Sequence, residues 1–313
     1  MKRIISFVVT LLASAAALAA PPLLAPAELN ALLGKPNVRV IDIRDPASYA
    51  EKHIPGAVSA PYGSWRGPAS NPGELPALPA LTARVQSLGL TPETHAVVVS
   101  SGKDATDFGA SARVYWTLKA LGLTELSVLN GGVAAWAAAG LPQDNVAVKA
   151  TPSTYAPRLD ESMIATREQV LAAVNAGNAK LVDARPAEFY KGETRHQAAK
   201  LPGTLKGAVN VENASWFKPG TSTFVSAEEA RKIAATKPID PARDTISFCN
   251  TGHWAATNWF AMSEVLGQKN VRMYAGSMVD WTQAPDALPM ENVPNRFDQL
   301  VIDWKLWVDR TFN

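Results

Sequence analysis

The sequence predicts an α/β protein made of two tandem copies of one domain, each a mainly parallel sheet flanked by helices. Three observations carry this. The same order of signals occurs twice: Val38-Arg-Val-Ile-Asp-Ile-Arg44, Tyr49 and His53-Ile-Pro-Gly-Ala-Val58, then Lys180-Leu-Val-Asp-Ala-Arg185, Tyr190 and Lys206-Gly-Ala-Val-Asn210. Further on, Leu129 to Trp136 matches Tyr274 to Trp281, with Gly131 over Gly276. Within each copy, short β-branched runs alternate with helical patterns of period 3.6, and the runs are apolar enough for strands covered on both faces.

In order, the strands expected are 38–43, 95–99 and 126–129 in the first copy and 180–184, 245–248 and 271–274 in the second. The helices expected are 26–33, 78–88, 110–121 and 133–139, then 166–176, 227–235, 255–266 and 278–283. Domain 1 spans residues 25–142 and domain 2 residues 160–290. Residues 143–159, rich in Pro, Ser and Thr without periodicity, read as a linker. Residues 291–313 read as a C-terminal tail packing back onto the body, with Trp304 and Trp307 at helical spacing and expected in a core.

Composition narrows the function. At roughly 150 residues per domain, 313 residues suit two domains, and 47% hydrophobic with 19% charged residues suits an ordinary core. A net charge of +2 gives no cationic surplus for nucleic acid or an anionic membrane. One Cys and four His exclude an internal disulfide and argue against a structural metal site; nothing asks for an organic cofactor. Residues 1–19 read as a signal peptide: Met1-Lys2-Arg3 is basic, Ile4 to Ala13 apolar, and Ala17-Leu18-Ala19 fits cleavage after Ala19. The expectation is an exported, periplasmic bacterial protein that leaves the membrane after cleavage. Its unpaired Cys is then either buried and inert or a working thiol.

The richest segment runs from Thr245 to Phe260. A strand ends, Cys249 sits at its tip, a short loop containing Gly252 follows, and a helix opens near Ala255. Amides of such a loop and of a helix's first turn are unsatisfied donors that converge on one concavity, where a thiolate or a sulfur-bound sulfur is stabilised.

The repeated Asp-x-Arg strand end, the Pro-Gly-Ala-Val segment, the strand–Cys–loop–helix unit and the closing Gly-x-x-x-x-Trp resemble the rhodanese family of sulfurtransferases in its tandem form, from about Ala27 to Pro289. The resemblance implies a catalytic second domain in which Cys249 heads a six-residue loop (Cys249, Asn250, Thr251, Gly252, His253, Trp254) and carries sulfur as a persulfide. The first copy, with Ser100 at that place and a longer loop over 101–108, would be inactive and would shape the cleft. Arg185 matches a family arginine that contacts an anionic donor, though a bridge to Asp183 or Glu188 is open to it. Arg66 would reach the cleft from domain 1 or lie on the surface. His253 would be a polar or cationic group favouring a thiolate or anionic donor, or would bond loop backbone; Trp254 would wall the pocket or pack. Asn250 and Thr251 stand where thiosulfate-using members commonly carry basic residues.

The reading is transfer of a sulfane sulfur from a small sulfur-containing anion, thiosulfate first, to cyanide, a thiol or a carrier protein. A preference for 3-mercaptopyruvate is one alternative, and a non-catalytic persulfide carrier or sulfur-sensing module is another. A Cys phosphatase would need Arg six positions after the Cys, where Ala255 stands.

Overall fold

The computed structural model describes residues 20–312; the expected signal peptide lies outside the described residues. Domain 1 carries strands β1 (Leu23–Leu24), β2 (Val38–Asp42), β3 (Val58–Ser59), β4 (His95–Val99) and β5 (Leu126–Leu129). They form one parallel sheet in the order β1-β5-β4-β2-β3. Its helices are α1 (Pro26–Asn30), α2 (Pro46–Glu51), α3 (Leu78–Ser87), α4 (Ala105–Ala120) and α5 (Gly132–Ala138).

Domain 2 repeats the plan. Strands β6 (Lys180–Asp183), β8 (Val209–Asn210), β9 (Thr245–Phe248) and β10 (Val271–Met273) form a parallel sheet ordered β10-β9-β6-β8. Strands β7 (Thr204–Leu205) and β11 (Met290–Glu291) pair antiparallel beside it. The helices are α6 (Arg167–Ala176), α7 (Ala187–Tyr190), α8 (Ala227–Ala235), α9 (Trp254–Trp259), α10 (Ser277–Thr282) and α11 (Arg296–Phe312).

The central strands are apolar because helices cover both faces: every residue of β5 and β9 is buried, and β4 has only His95 half-buried. One apolar cluster runs across both domains, through α4 and Phe108 on one side and α9 and Phe260 on the other. At its centre Phe108 meets Phe217, Phe224 and Phe260, with ring centroids 5.2, 5.3 and 5.5 Å apart. The helix after each loop is thus packed against its counterpart, which sets the Cys249 loop on the domain interface.

Three expectations need correction. Helix α4 begins at Ala105, because the Asp104 carboxylate accepts the Asp107 amide hydrogen at 2.8 Å and caps it there. The loop after Ser100 is therefore not the longer one expected over 101–108. The helix after Cys249 is α-helical only to Trp259 and continues as a π-helix over Phe260–Val265. The tail is a helix whose tryptophans are not core: Trp304 is 63% and Trp307 49% exposed. It is held to the body by buried Ile302 and by Asp303, whose carboxylate accepts from Arg195 at 2.8 Å.

Candidate active site

The two Asp-x-Arg segments fold the same way. Arg185 Nε donates to Asp183 Oδ1 at 2.9 Å and Nη2 to Oδ2 at 2.6 Å; Arg44 does so to Asp42 at 3.0 and 2.6 Å. Such a bidentate pair matches the guanidinium fork to the carboxylate and locks the strand end. Arg185 is fully buried, Nη2 also donates to Gly203 C=O at 2.8 Å, and Nη1 reaches Asn250 Oδ1 at 3.2 Å. Of the two roles open to Arg185, the structure shows the bridge to Asp183. Four of its five N–H donors go to Asp183, to the Gly203 carbonyl and to Asn250 of the loop, which leaves one Nη1 hydrogen beside the loop.

Cys249 leaves β9 into a loop shaped by α10. The first two carbonyls are held by the α10 amides, Met278 N–H to Cys249 O and Val279 N–H to Asn250 O, both at 3.0 Å. Domain 1 repeats this with Val133 and Ala134 donating to Ser100 and Ser101 at 2.9 Å. Ser277 adds what domain 1 lacks. Its Oγ accepts the amide hydrogens of Cys249 at 3.0 Å and Gly252 at 3.1 Å, and donates to Tyr274 C=O at 2.8 Å. Ser277 has φ of +55°, a left-handed conformation that its counterpart Gly132 also adopts at +57°. A side chain kept there bears about 1 kcal/mol of strain or more, so the hydroxyl's three hydrogen bonds outweigh it.

Gly252 is required twice over. Its φ is +66°, and a Cβ would collide with Arg113 Nη1 and with Ala275 C=O. Asn250, Thr251 and Gly252 are buried, and the amides of Asn250, Thr251, His253 and Trp254 find no acceptor among the described residues. Cys249 itself is fully buried.

Domain 1 closes over the loop. His253 Nε2 lies 2.7 Å from Thr106 C=O and must carry the hydrogen, so Nδ1 accepts the Tyr62 hydroxyl at 2.8 Å. Arg66 Nη1 donates to Tyr62 Oη at 2.9 Å, with its guanidinium 5.2 Å from the ring centroid. Trp254 Nε1 donates to Thr106 Oγ1 at 3.3 Å and its indole meets Phe189 edge-on. Gly109 leaves room for the imidazole, since a Cβ there would touch His253 Nε2 at 2.9 Å. Burial, then the Arg66 charge, push the His253 pKa down to about 4. His253 is thus neutral, not the cation that the sequence allowed. With Tyr62, Ser100 and Thr106 it lines a cavity of about 410 Å³ on the domain 1 side.

Of the residues read from the sequence, the structure gathers Cys249 to Trp254 and brings Arg66 to the same interface, with Arg185 behind Asn250. Sequence reasoning missed Tyr62, Thr106, Arg113 and Ser277. Two signals were available: Ser277 replaces the second glycine of Gly131-Gly132, and Arg113 is a lone cation in the apolar run from Ala110 to Leu118.

Comparison with known proteins agrees with this architecture. The family model for the rhodanese-like domain matches residues 25–139 and 166–284. The chain is 32% identical over 273 residues to the thiosulfate sulfurtransferase of Pseudomonas aeruginosa, covering 87% of this chain and 97% of that protein. It is 30% identical over 272 residues to that of Azotobacter vinelandii, with the same coverage. Among solved structures, the 3-mercaptopyruvate sulfurtransferase SseA of Escherichia coli superposes with a TM-score of 0.72 at 23% identity, over 82% of this chain and 99% of that one. The chain belongs to the rhodanese family and is a sulfurtransferase of the tandem-domain form.

Proposed function

We propose that the enzyme moves a sulfane sulfur from thiosulfate to a thiophilic acceptor through a persulfide on Cys249. The Cys249 thiolate attacks the outer sulfur, the sulfur–sulfur bond of thiosulfate breaks, and sulfite departs with its electron pair. An acceptor then attacks the outer sulfur of the persulfide and releases the thiolate. In an assay the acceptor is cyanide, which leaves as thiocyanate; in the cell it is a thiol or a carrier protein.

One observation carries the reading: Cys249 heads a strand-to-helix loop in which four amides have no acceptor and two are gathered on Ser277 Oγ. Preorganised donors of this kind stabilise a thiolate and the charge that develops on sulfur during transfer.

Mass spectrometry of the protein after thiosulfate treatment tests this. The expected product carries one added sulfur at Cys249 that cyanide removes, and the loading is absent in Cys249→Ser. An unmodified wild-type protein, or a modification that survives in the Ser variant, overturns the reading. Turnover with cyanide, as against a single loading, separates an enzyme cycle from a carrier.

We further propose export with cleavage after Ala19. The Ala20 nitrogen lies 2.9 Å from Glu125 Oε2, so a free amino group there would meet a carboxylate. N-terminal sequencing of the exported protein should begin at Ala20; any other start refutes the assignment.

A further inference from the structure

Arg113 projects from α4 of domain 1 and is fully buried. Its Nη2 donates to Gly73 C=O at 2.8 Å and its Nη1 to Gly252 C=O at 3.2 Å, in the Cys249 loop. The guanidinium carbon lies 5.2 Å from the Trp116 ring centroid, and Nε has no partner. Among the described residues no carboxylate pairs with it. A buried guanidinium without a counter-ion is costly, and two carbonyls offset only part of that cost. Burial, then the charge of Arg66, lower its pKa to about 10, and only ionised Tyr62 and Cys249 act in the opposite direction. Tyr62 is committed as donor to His253, and burial raises its own pKa. The Gly252 carbonyl that Arg113 holds lies in the Cys249 loop, three residues after the cysteine, and Cys249 is the only thiol of the chain.

The loop's own chemistry sharpens the point. It carries Asn250 and Thr251 after the Cys, and Arg185 is neutralised by Asp183. No cation of domain 2 is free beside the sulfur among the described contacts. Gly252 is the position at which a side chain would exclude Arg113.

We propose that Arg113 of the first domain is the counter-cation of the Cys249 thiolate, so that the domain without a cysteine supplies the charge for the reaction of the other. This rests on Cys249 being the sulfur-carrying nucleophile. The other ionisable groups facing the pair are Tyr62, Arg66 and His253 at the interface and the Asp183–Arg185 pair behind Asn250. Arg113 acts on the sulfur through space and through the Gly252 carbonyl that it holds, which makes it a positioning residue.

The test is the rate of alkylation of Cys249 by iodoacetamide against pH, read by mass spectrometry on the full chain, for wild type, Arg113→Lys and Arg113→Met. The expected result is a midpoint raised by about one pH unit or more in Arg113→Met, with most of the shift recovered in Arg113→Lys. A midpoint unchanged in Arg113→Met overturns the proposal, since a merely structural arginine would alter stability without moving the titration. The reading holds whether or not thiosulfate loads the protein, so failure of persulfide formation in wild type strikes the proposed function separately. If Arg113→Met does not fold, the stability of wild type relative to Cys249→Ser is followed from about pH 6 to about pH 9, across the ordinary thiol range. A thiolate paired with Arg113 makes that difference grow as pH rises; a flat or falling difference refutes the pairing.

Discussion

Tyr62 in domain 1 donates its hydroxyl hydrogen to Nδ1 of His253 in domain 2 across 2.8 Å. The bond fixes the tautomer of a neutral imidazole whose other nitrogen donates to Thr106 C=O. Protonation at Nδ1 would break the arrangement. The folded pKa of about 4 lies below the ordinary 6.5, so between these values the unfolded chain binds more protons than the folded one. Stability is therefore full above about pH 6.5 and falls as pH drops toward about 4. Thermal unfolding across this window should show the fall in wild type and a shallower one in His253→Asn. Identical slopes would mean that His253 titrates normally.

Ser277 makes a second prediction from its strained backbone. Ser277→Ala keeps the left-handed φ and loses the acceptor for two buried amides, at a cost of about 1–3 kcal/mol. Ser277→Gly loses the same hydroxyl but relieves the strain, so it should be the more stable of the two variants. Both should lose about tenfold or more in sulfur transfer, the rate equivalent of about 1.4 kcal/mol. Denaturant melts with parallel thiocyanate assays check this. An active Ser277→Ala would show that the hydroxyl does not shape the loop.

Arg185 should behave as a structural residue. Removing one partner of a buried, hydrogen-bonded ion pair costs about 3–5 kcal/mol, so Arg185→Met should lower the melting temperature strongly. Arg44→Met, at the equivalent but slightly more exposed pair in domain 1, should lower it less. A variant of Arg185 with unchanged melting and a raised KM for thiosulfate would return this residue to the anion site.

The duplicated sheet and the Cys249 loop were legible because buried parallel strands are written as apolar runs, and because the loop residues are contiguous. The ranges for β4, β5 and β9 follow the sequence reading residue for residue. Strands β3 and β8, with two residues each, carry too little pattern to be read. Tyr62, Thr106 and the role of Arg113 were hidden for another reason: all three lie far from the Cys249 loop in sequence and meet its Gly252, His253 and Trp254 only when the domains dock. The Asp-x-Arg pair was visible, yet spacing alone does not say whether an arginine spends its fork on its neighbour or on a ligand.

The tail shows the same gap between pattern and environment. Helical spacing of Trp304 and Trp307 tells that they share a face, not what that face meets, and the structure leaves both open to solvent. Trp304→Ser and Trp307→Ser should each change stability by no more than about 0.5 kcal/mol, and thiosulfate turnover should be unchanged. Ile302→Ala, which empties the buried contact of the same helix, should cost more, in the range of about 2 kcal/mol or above. Acrylamide should quench the fluorescence of these two tryptophans more than that of the fully buried Trp65, Trp116, Trp136 and Trp216. Strong destabilisation by either tail substitution, or quenching that leaves both tryptophans untouched, would restore the reading of the tail as core.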